Sequence, residues 1–391
     1  MTISTHILGW AHTKFGKHPG QDLEGLMAQV SEAAVTHAGL EPQDIDAISV
    51  GVFNNGFSRQ GFEAALVGAG SPALAQIPAT RYENACATGS AALHGAITQI
   101  EARRARAVLV IGAETMTNAP GAEANSNLLS ASHRKSEEAL GSFAGVFAQL
   151  ADMYAERYGD PRKPMARVAA KNHRNGATNP YAHLRKDLGY DFCAKESDRN
   201  PTVVGRLLRT DCSMVSDGAA AMVLSSEDIA LTSPRPTVAV RGRAQANESL
   251  ALASRQDPLD FAGPRRAFHG ALNEAGMSLN DLDFLETHDC FTIAEMLHYE
   301  AFGIAEPGGA GHVLEAGETD RDGRLPVNVS GGLKAKGHPI GATGVSQHIM
   351  AAMQLTGEAG DMQLRRASRA AVFNMGGSAV ANYATVLEST I

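Results

Sequence analysis

Positive charge, paired cysteines and long apolar runs are all scarce in this chain. Its 34 Lys and Arg are outnumbered by 42 Asp and Glu, for a formal net charge of −8. That deficit argues against non-specific nucleic-acid binding, while leaving room for a local basic patch that takes an anionic ligand. Only four cysteines are present: Cys86, Cys193, Cys212 and Cys290. No two of them form a C-x-x-C pair, so no zinc site is expected. The first residues, Met1-Thr-Ile-Ser-Thr-His, carry no basic stretch followed by an apolar one, and no apolar run reaches the ~20 residues of a membrane span. A reducing cytoplasm with free thiols is the expectation. The last residues, Glu388-Ser-Thr-Ile391, form no peroxisomal address.

What is present reads as a globular protein too long for one ordinary domain: 391 residues, 44% hydrophobic and 19% charged. The 40 glycines follow no period and mark turns. The densest group is Gly331-Gly-Leu-Lys-Ala-Lys-Gly-His-Pro-Ile-Gly-Ala-Thr-Gly344. It predicts a tight turn that carries His338, with Pro339 in the first turn of a following helix. Either His338 is incidental to a glycine-rich turn, or it is aimed at a substrate.

Two pairs of distant segments read alike. Ala38 to Val50 and Ala275 to Thr287 each predict a helix end, a glycine stop, a short acidic turn and a strand. Ala102 to Gly112 and Arg365 to Gly376 each predict a helix end entering a buried strand. Within each half, a strand, a turn and a long helix lie between its two segments. Helices alternating with strands rich in Val, Ile and Ala predict an α/β fold in both halves. The register equates Cys86-Ala-Thr-Gly89 with His338-Pro-Ile-Gly341, so two helix N-termini can converge on one site. The expected organisation is an N-terminal half over 1–117 completed by 213–233, an insertion over 118–212 and a C-terminal half over 234–391. The insertion is polar and basic, with Ser132-His-Arg-Lys-Ser, Pro161-Arg-Lys-Pro and Lys171-Asn-His-Arg. It reads as a solvated excursion or as a cap that binds a phosphate-bearing ligand through Arg and Lys.

Cys86 follows Asn84-Ala85 and precedes small residues that predict a helix, whose positive end favours thiolate. Cys290 lies in Glu286-Thr-His-Asp-Cys-Phe-Thr-Ile-Ala-Glu295, where an apolar strand meets a helix. Thr287-His288-Asp289 there either caps that helix or serves chemistry. Cys193 and Cys212 read as structural.

Three of these segments carry a family resemblance. Asn84-Ala-Cys-Ala-Thr-Gly-Ser, His288-Asp-Cys-Phe and Gly337-His-Pro-Ile-Gly-Ala-Thr-Gly resemble the catalytic segments of the thiolase superfamily. Thr287-His-Asp-Cys-Phe is similar to its sterol-carrier-protein branch, as are Asn172-His173, Asn179-Pro-Tyr181 and Ser216-Asp-Gly-Ala-Ala-Ala. The resemblance spans essentially the whole chain. It implies a thiolase fold: two βαβαβαββ halves in five layers, αβαβα, with an inserted loop domain. It further implies a homodimer or tetramer, and coenzyme A or acetyl-CoA as substrate with no permanently bound cofactor. Cys86 would be the nucleophile and His338 the base that accepts its proton. Cys290 would be the second acid/base. His288 with His338 would hold the thioester oxygen, and the backbone N–H groups of Cys86 and Gly376 a second oxyanion. Ser213 would lie along the pantetheine arm.

Asn374 in Phe373-Asn-Met-Gly-Gly-Ser378 stands where many thiolases place an acid/base cysteine. In the sterol-carrier-protein branch Cys290 supplies that function. The activity implied is thiolytic cleavage of a 3-ketoacyl-CoA, or the reverse Claisen condensation, in lipid metabolism such as fatty-acid β-oxidation. The alternatives are a C-acyltransferase or aldol-type subunit working with an OB-fold partner protein, and a non-catalytic acyl-CoA-binding subunit. Phe143, Phe147, Met153 and Phe291 are candidate liners of the acyl pocket.

Overall fold

The computed structural model describes residues 4–53 and 56–390. Residues 1–3 and 391, read above for targeting signals and as domain limits, lie outside the described residues. The strands are β1 (Thr5–His12), β2 (Ala47–Gly51), β3 (Ala79–Tyr82), β4 (Ala107–Glu114), β5 (Thr202–Val204), β6 (Leu207–Leu208), β7 (Gly218–Ser226), β8 (Val238–Asn247), β9 (Phe284–Glu286), β10 (Arg369–Gly376) and β11 (Ala381–Ser389).

The repeated segments fold alike. Each begins with a helix, Leu23–His37 or Ala262–Ala275, closed by a glycine at positive φ, Gly39 (71°) or Gly276 (66°). A 3-10 turn then leads into β2 or β9. The two segments of the second pair enter β4 and β10 respectively.

Among the described residues, nine strands make one sheet in the order β3-β2-β4-β7-β1-β8-β11-β10-β9. The β1–β8 junction divides it into two half-sheets of the same design. In each, parallel strands (β3-β2-β4, or β9-β10) meet antiparallel ones (β7-β1, or β11-β8). A parallel bridge from Leu285 to Val327 marks the counterpart of β3. The half-sheets are therefore continuous, joined by Thr5↔Val240, His6↔Ala239 and Ile7↔Val238.

Five layers result. Helix Leu23–His37 covers the outer face of the first half-sheet and Ala262–Ala275 that of the second. Helices Thr88–Glu101 and Ile340–Leu355 pack together between them. The second is buried along its whole length because it faces both half-sheets. A helix with no solvent face needs no charged side, and its sequence has none; its polar side chains are buried, with Ser346, His348 and Gln354 hydrogen-bonded.

The insertion differs from a solvated excursion. Its helices Phe143–Tyr158 and Arg162–Gly176 bury much of their surface, and Lys171, Asn172, His173, Asn175 and Asn179 are buried polar residues. Lys171 donates to Glu295 (2.6 Å) and to the carbonyl of Val327 (2.9 Å). A run that is polar in sequence is here the inward face of a helix packed on charged partners. No helix among the described residues is long and apolar enough to cross a membrane.

Candidate active site

Cys86 and His338 occupy matching places. Ala87 caps the helix Thr88–Glu101 and Pro339 caps Ile340–Leu355, so each functional residue sits one position before its cap. Pro339 thus stands just outside the helix, not in its first turn. The glycine-rich segment also holds more order than a turn: Gly332–Lys336 is a short helix. Its first N–H groups, from Leu333 (2.5 Å) and Lys334 (3.2 Å), donate to the Asp289 carboxylate. Asp289 is therefore a cap, but for this distant helix; the helix after Cys290, Thr292–Ala301, has no side-chain cap.

The two halves meet where Gly89 and Gly344 allow contact. A Cβ at Gly89 would lie 2.8 Å from the Gly341 carbonyl, and one at Gly344 2.3 Å from the Ser90 nitrogen. This contact brings Cys86 Sγ and one ring nitrogen each of His288 and His338 within 4.8 Å of one another. The two imidazoles are edge to face, with ring centroids 5.2 Å apart. Ala85, with φ 49°, turns the chain so that Cys86 faces inward.

Cys86, Cys290 and His338 share the wall of one cavity of about 230 Å³, with Met116, Asn125, Leu128, Phe143, Val203, Cys212, Ser213, Met214, Val215 and Phe291 among its other residues. Of the expected liners, Phe143 and Phe291 face it. Phe147 instead stacks behind Phe291, centroids 4.4 Å apart, and Met153 packs on the core. Cys212 belongs to this wall, whereas Cys193 is buried among the helices of the insertion. Ser213 lines the cavity and donates its N–H to the Cys290 carbonyl at 2.8 Å.

A second hollow of about 410 Å³ shares Val203, Cys212, Ser213, Met214 and Val215 with the first and leads outward past Lys17, His173, His183, Arg199, Arg209 and Lys334. Cations of the insertion therefore do face a groove that runs to the nucleophile.

Electrostatics set the resting state. Burial pushes the Cys86 thiol up to about 12, although N–H groups of Gly377 and of Cys86 itself partly oppose it. The expectation that a helix start would favour thiolate does not hold: loss of water outweighs the dipole. The glycine whose N–H meets the sulfur is Gly377, one residue beyond Gly376. Gly376 packs against Asn84, where a Cβ would come within 2.2 Å of the carbonyl oxygen. Burial likewise holds His338 down at about 3, helped by the charge on Lys336, and pushes His288 well below and Cys290 well above their ordinary values. Thiols and imidazoles are all neutral at pH 7.

Behind the site lies a network that sequence reading missed. Asn172 donates to both Asp289 and Glu295 (2.7 Å each), Asn328 to Glu295 (2.8 Å), and Ser330 to Glu286 (2.6 Å). Its one legible signal is Asn172-His173, a motif similar to the sterol-carrier-protein branch whose spelling does not name its partners.

Known proteins place this geometry. The family described as Thiolase, N-terminal domain matches residues 5–228, and Thiolase C-terminal domain-like matches 244–389. The chain belongs to the thiolase family. It is 35% identical over 375 residues to an acetyl-CoA acetyltransferase of Methanothermobacter thermautotrophicus, covering 95% of this chain and 96% of that one. It is 31% identical to sterol carrier protein 2 of Gallus gallus, covering 95% of this thiolase and 69% of the relative. In fold it resembles human mitochondrial 3-ketoacyl-CoA thiolase in complex with CoA (TM-score 0.77, 19% identity, covering 100% and 98%). It also resembles the Ltp2-ChsH2(DUF35) aldolase (TM-score 0.83, 20% identity, covering 99% and 98%). The thiolase is accordingly an acyltransferase that uses CoA substrates.

Proposed function

We propose that this thiolase cleaves a 3-ketoacyl-CoA, or runs the reverse condensation, through an acyl-Cys86 thioester. The observation that carries it is the convergence of Cys86, His288 and His338 within 4.8 Å, with Cys86, His338 and Cys290 on the wall of one cavity. His338 takes the Cys86 proton as sulfur attacks the keto carbon. The bond between that carbon and the α-carbon breaks, and its electron pair passes to the thioester oxygen, held by His288 and the now protonated His338. Cys290 gives its proton to the α-carbon, and acetyl-CoA leaves. The Cys290 thiolate then takes the proton of free CoA, whose sulfur displaces the acyl group from Cys86. His338 returns its proton to Cys86. Backbone N–H groups of Cys86 and of the Gly376–Gly377 turn hold the second oxyanion.

Coenzyme A fits the basic groove, with Ser213 beside the pantetheine arm where groove and cavity join. No side chain of the site calls for a permanent cofactor. The units of this reading are 1–117 with 213–233, the cap 118–212, and 234–391. Strand β7 completing the first half-sheet supports that division. The edge strand β3, half open to solvent, supports a homodimer or tetramer by offering unpaired backbone groups to a second copy. We place the enzyme in the cytoplasm and in fatty-acid β-oxidation or related lipid metabolism. Work with an OB-fold partner as a C-acyltransferase or aldol-type subunit is the rival, and a non-catalytic acyl-CoA binder is a distant third.

Intact mass after incubation with acetyl-CoA tests the reading. One acetyl group should be gained, and Cys86→Ala should abolish the gain. Cys290→Ala should still acylate but lose C–C cleavage. No adduct with any acyl-CoA would sink the acyl-transfer mechanism, and cleavage surviving in Cys290→Ala would remove Cys290 from its role.

A further inference from the structure

We infer that Asn374 is a positioning residue that fixes His288 as a hydrogen-bond donor, while Thr343 fixes His338 as the opposite tautomer, an acceptor. The inference takes the thiolase chemistry above as given and says how two neutral histidines side by side divide its labour.

For His338, Nδ1 lies 2.6 Å from the Thr343 hydroxyl. That hydroxyl donates its only proton to the Pro339 carbonyl at 2.9 Å. It can therefore only accept from His338, so Nδ1 carries the proton. Nε2 keeps its lone pair and has no hydrogen-bond partner among the described residues. A buried lone pair beside Cys86 is what a base for the thiol requires.

For His288 the bond runs the other way. The Asn374 amide nitrogen lies 3.1 Å from the Cys86 carbonyl oxygen and 2.9 Å from His288 Nδ1. A carbonyl oxygen only accepts, so the NH₂ group, not the amide oxygen, must face it. The second proton of that NH₂ points to His288, whose Nδ1 therefore accepts. The ring proton is on Nε2, the atom left without a partner among the described residues. His288 is thus a donor before substrate arrives, ready for an oxygen that gains charge. His338 becomes a second donor only after taking the Cys86 proton.

The same bonds speak against reading Cys86, His288 and His338 as a metal site, since a protonated Nε2 is no ligand. They also give Asn374 a task at a position where proton exchange is lost. The carboxamide joins the backbone of the nucleophile to the ring of the oxyanion donor. The titratable groups around His288 are Cys86, ahead of helix Thr88–Glu101, His338, ahead of Ile340–Leu355, and His298 on Thr292–Ala301. None is a carboxylate that would hold its Nδ1 proton.

Nitrogen NMR of the full-length enzyme labelled with ¹⁵N-histidine tests this directly, with His288→Gln and His338→Gln assigning the signals. His288 should be protonated on Nε2 and His338 on Nδ1. In Asn374→Asp a carboxylate replaces the donor, so neutral His288 should move its proton to Nδ1. That variant should still acetylate Cys86 from acetyl-CoA but lose C–C cleavage by about 10²–10³-fold, the cost of one oxyanion donor. Its residual cleavage should rise as pH falls, because only the imidazolium donates from both nitrogens. A wild-type His288 protonated on Nδ1 would overturn the assignment, as would an Asn374→Asp pH profile parallel to wild type. If Asn374→Asp does not fold, the wild-type spectrum decides alone. Failure of Cys86 to acetylate would count against the thiolase mechanism and leave the tautomers standing.

Discussion

The Cα of Gly89 abuts the carbonyl of Gly341, so closely that a Cβ at 89 would lie 2.8 Å from that oxygen and 2.9 Å from the Val345 nitrogen. These are backbone atoms of a helix buried throughout, and they cannot swing aside. Gly89→Ala should part the two central helices by a few tenths of an ångström and cost about 1–3 kcal/mol of stability. Because Cys86 and His338 head those helices, kcat/KM should fall far more than the stability loss explains. Urea melts with steady-state rates measure both; full activity would show that the helix contact does not set the site.

Burial that holds His338 at about 3 keeps it a base well below the usual histidine range. The acid limb of kcat/KM should therefore show no one-proton break near 6.5 while the fold is intact. Thr343→Val removes the acceptor for the His338 ring proton and should lower the Cys86 acetylation rate by about 10²-fold, the scale of a misplaced general base. A break near 6.5 in the wild type would contradict the buried, neutral base.

Glu114 ends β4 and accepts N–H bonds from Phe53 (3.0 Å) and Gly341 (3.2 Å), the latter in the first turn of the His338 helix. Burial raises its carboxyl from 4.5 to about 8. The unfolded chain ionises first, so this residue costs stability increasingly as pH rises from 4.5 towards 8. Glu114→Gln lacks that cost. Its stability relative to wild type should climb by on the order of 1 kcal/mol per pH unit across the window. The slope, not the offset, is the readout, and equal slopes in the two proteins would refute the shift.

Lys171 and Glu295 form an ion pair 2.6 Å long with side chains 2% and 0% exposed. Lys171→Met leaves a buried carboxylate with amide and hydroxyl partners only, and should cost about 3–5 kcal/mol. Adding Glu295→Gln should recover much of that in thermal or urea melts. Additive losses would mean that the pair does not act as a unit.

Phe143 and Phe291 line a cavity of about 230 Å³, which the proposed mechanism fills with the acyl chain. Phe143→Ala should shift the preferred 3-ketoacyl-CoA towards longer chains, by about tenfold per added methylene. A chain-length series of kcat/KM shows it, and an unchanged optimum would place the acyl chain elsewhere.

The fold was legible because it is written twice. Helix, glycine stop, acidic turn and strand recur before β2 and β9, and local rules read such units well. Cys86, His338 and Cys290 were legible for a related reason: each sits at the junction of elements, among residues that a mere turn would not need. Less legible were contacts between segments distant in sequence. Lys171 and Asn172 looked like solvated surface because their charge is visible in sequence and their partners Glu295 and Asp289, over a hundred residues on, are not. Phe147 and Phe291 are indistinguishable as letters, yet only Phe291 faces the cavity, because Phe147 stacks behind it.

By itself the amino-acid sequence determined the α/β halves, the pairing of Cys86 with His338 and the residues able to carry proton transfer, because these follow from periodicity, turn chemistry and side-chain type. Only the tertiary structure decided their state. Exclusion of water leaves Cys86 and His338 neutral where a helix start alone favours thiolate. Two hydrogen bonds, from Asn374 across 86 residues to His288 and from His338 to Thr343, set which nitrogen of each ring holds the proton. Solvation and the direction of a hydrogen bond are properties of neighbours in space, and chain order does not name those neighbours.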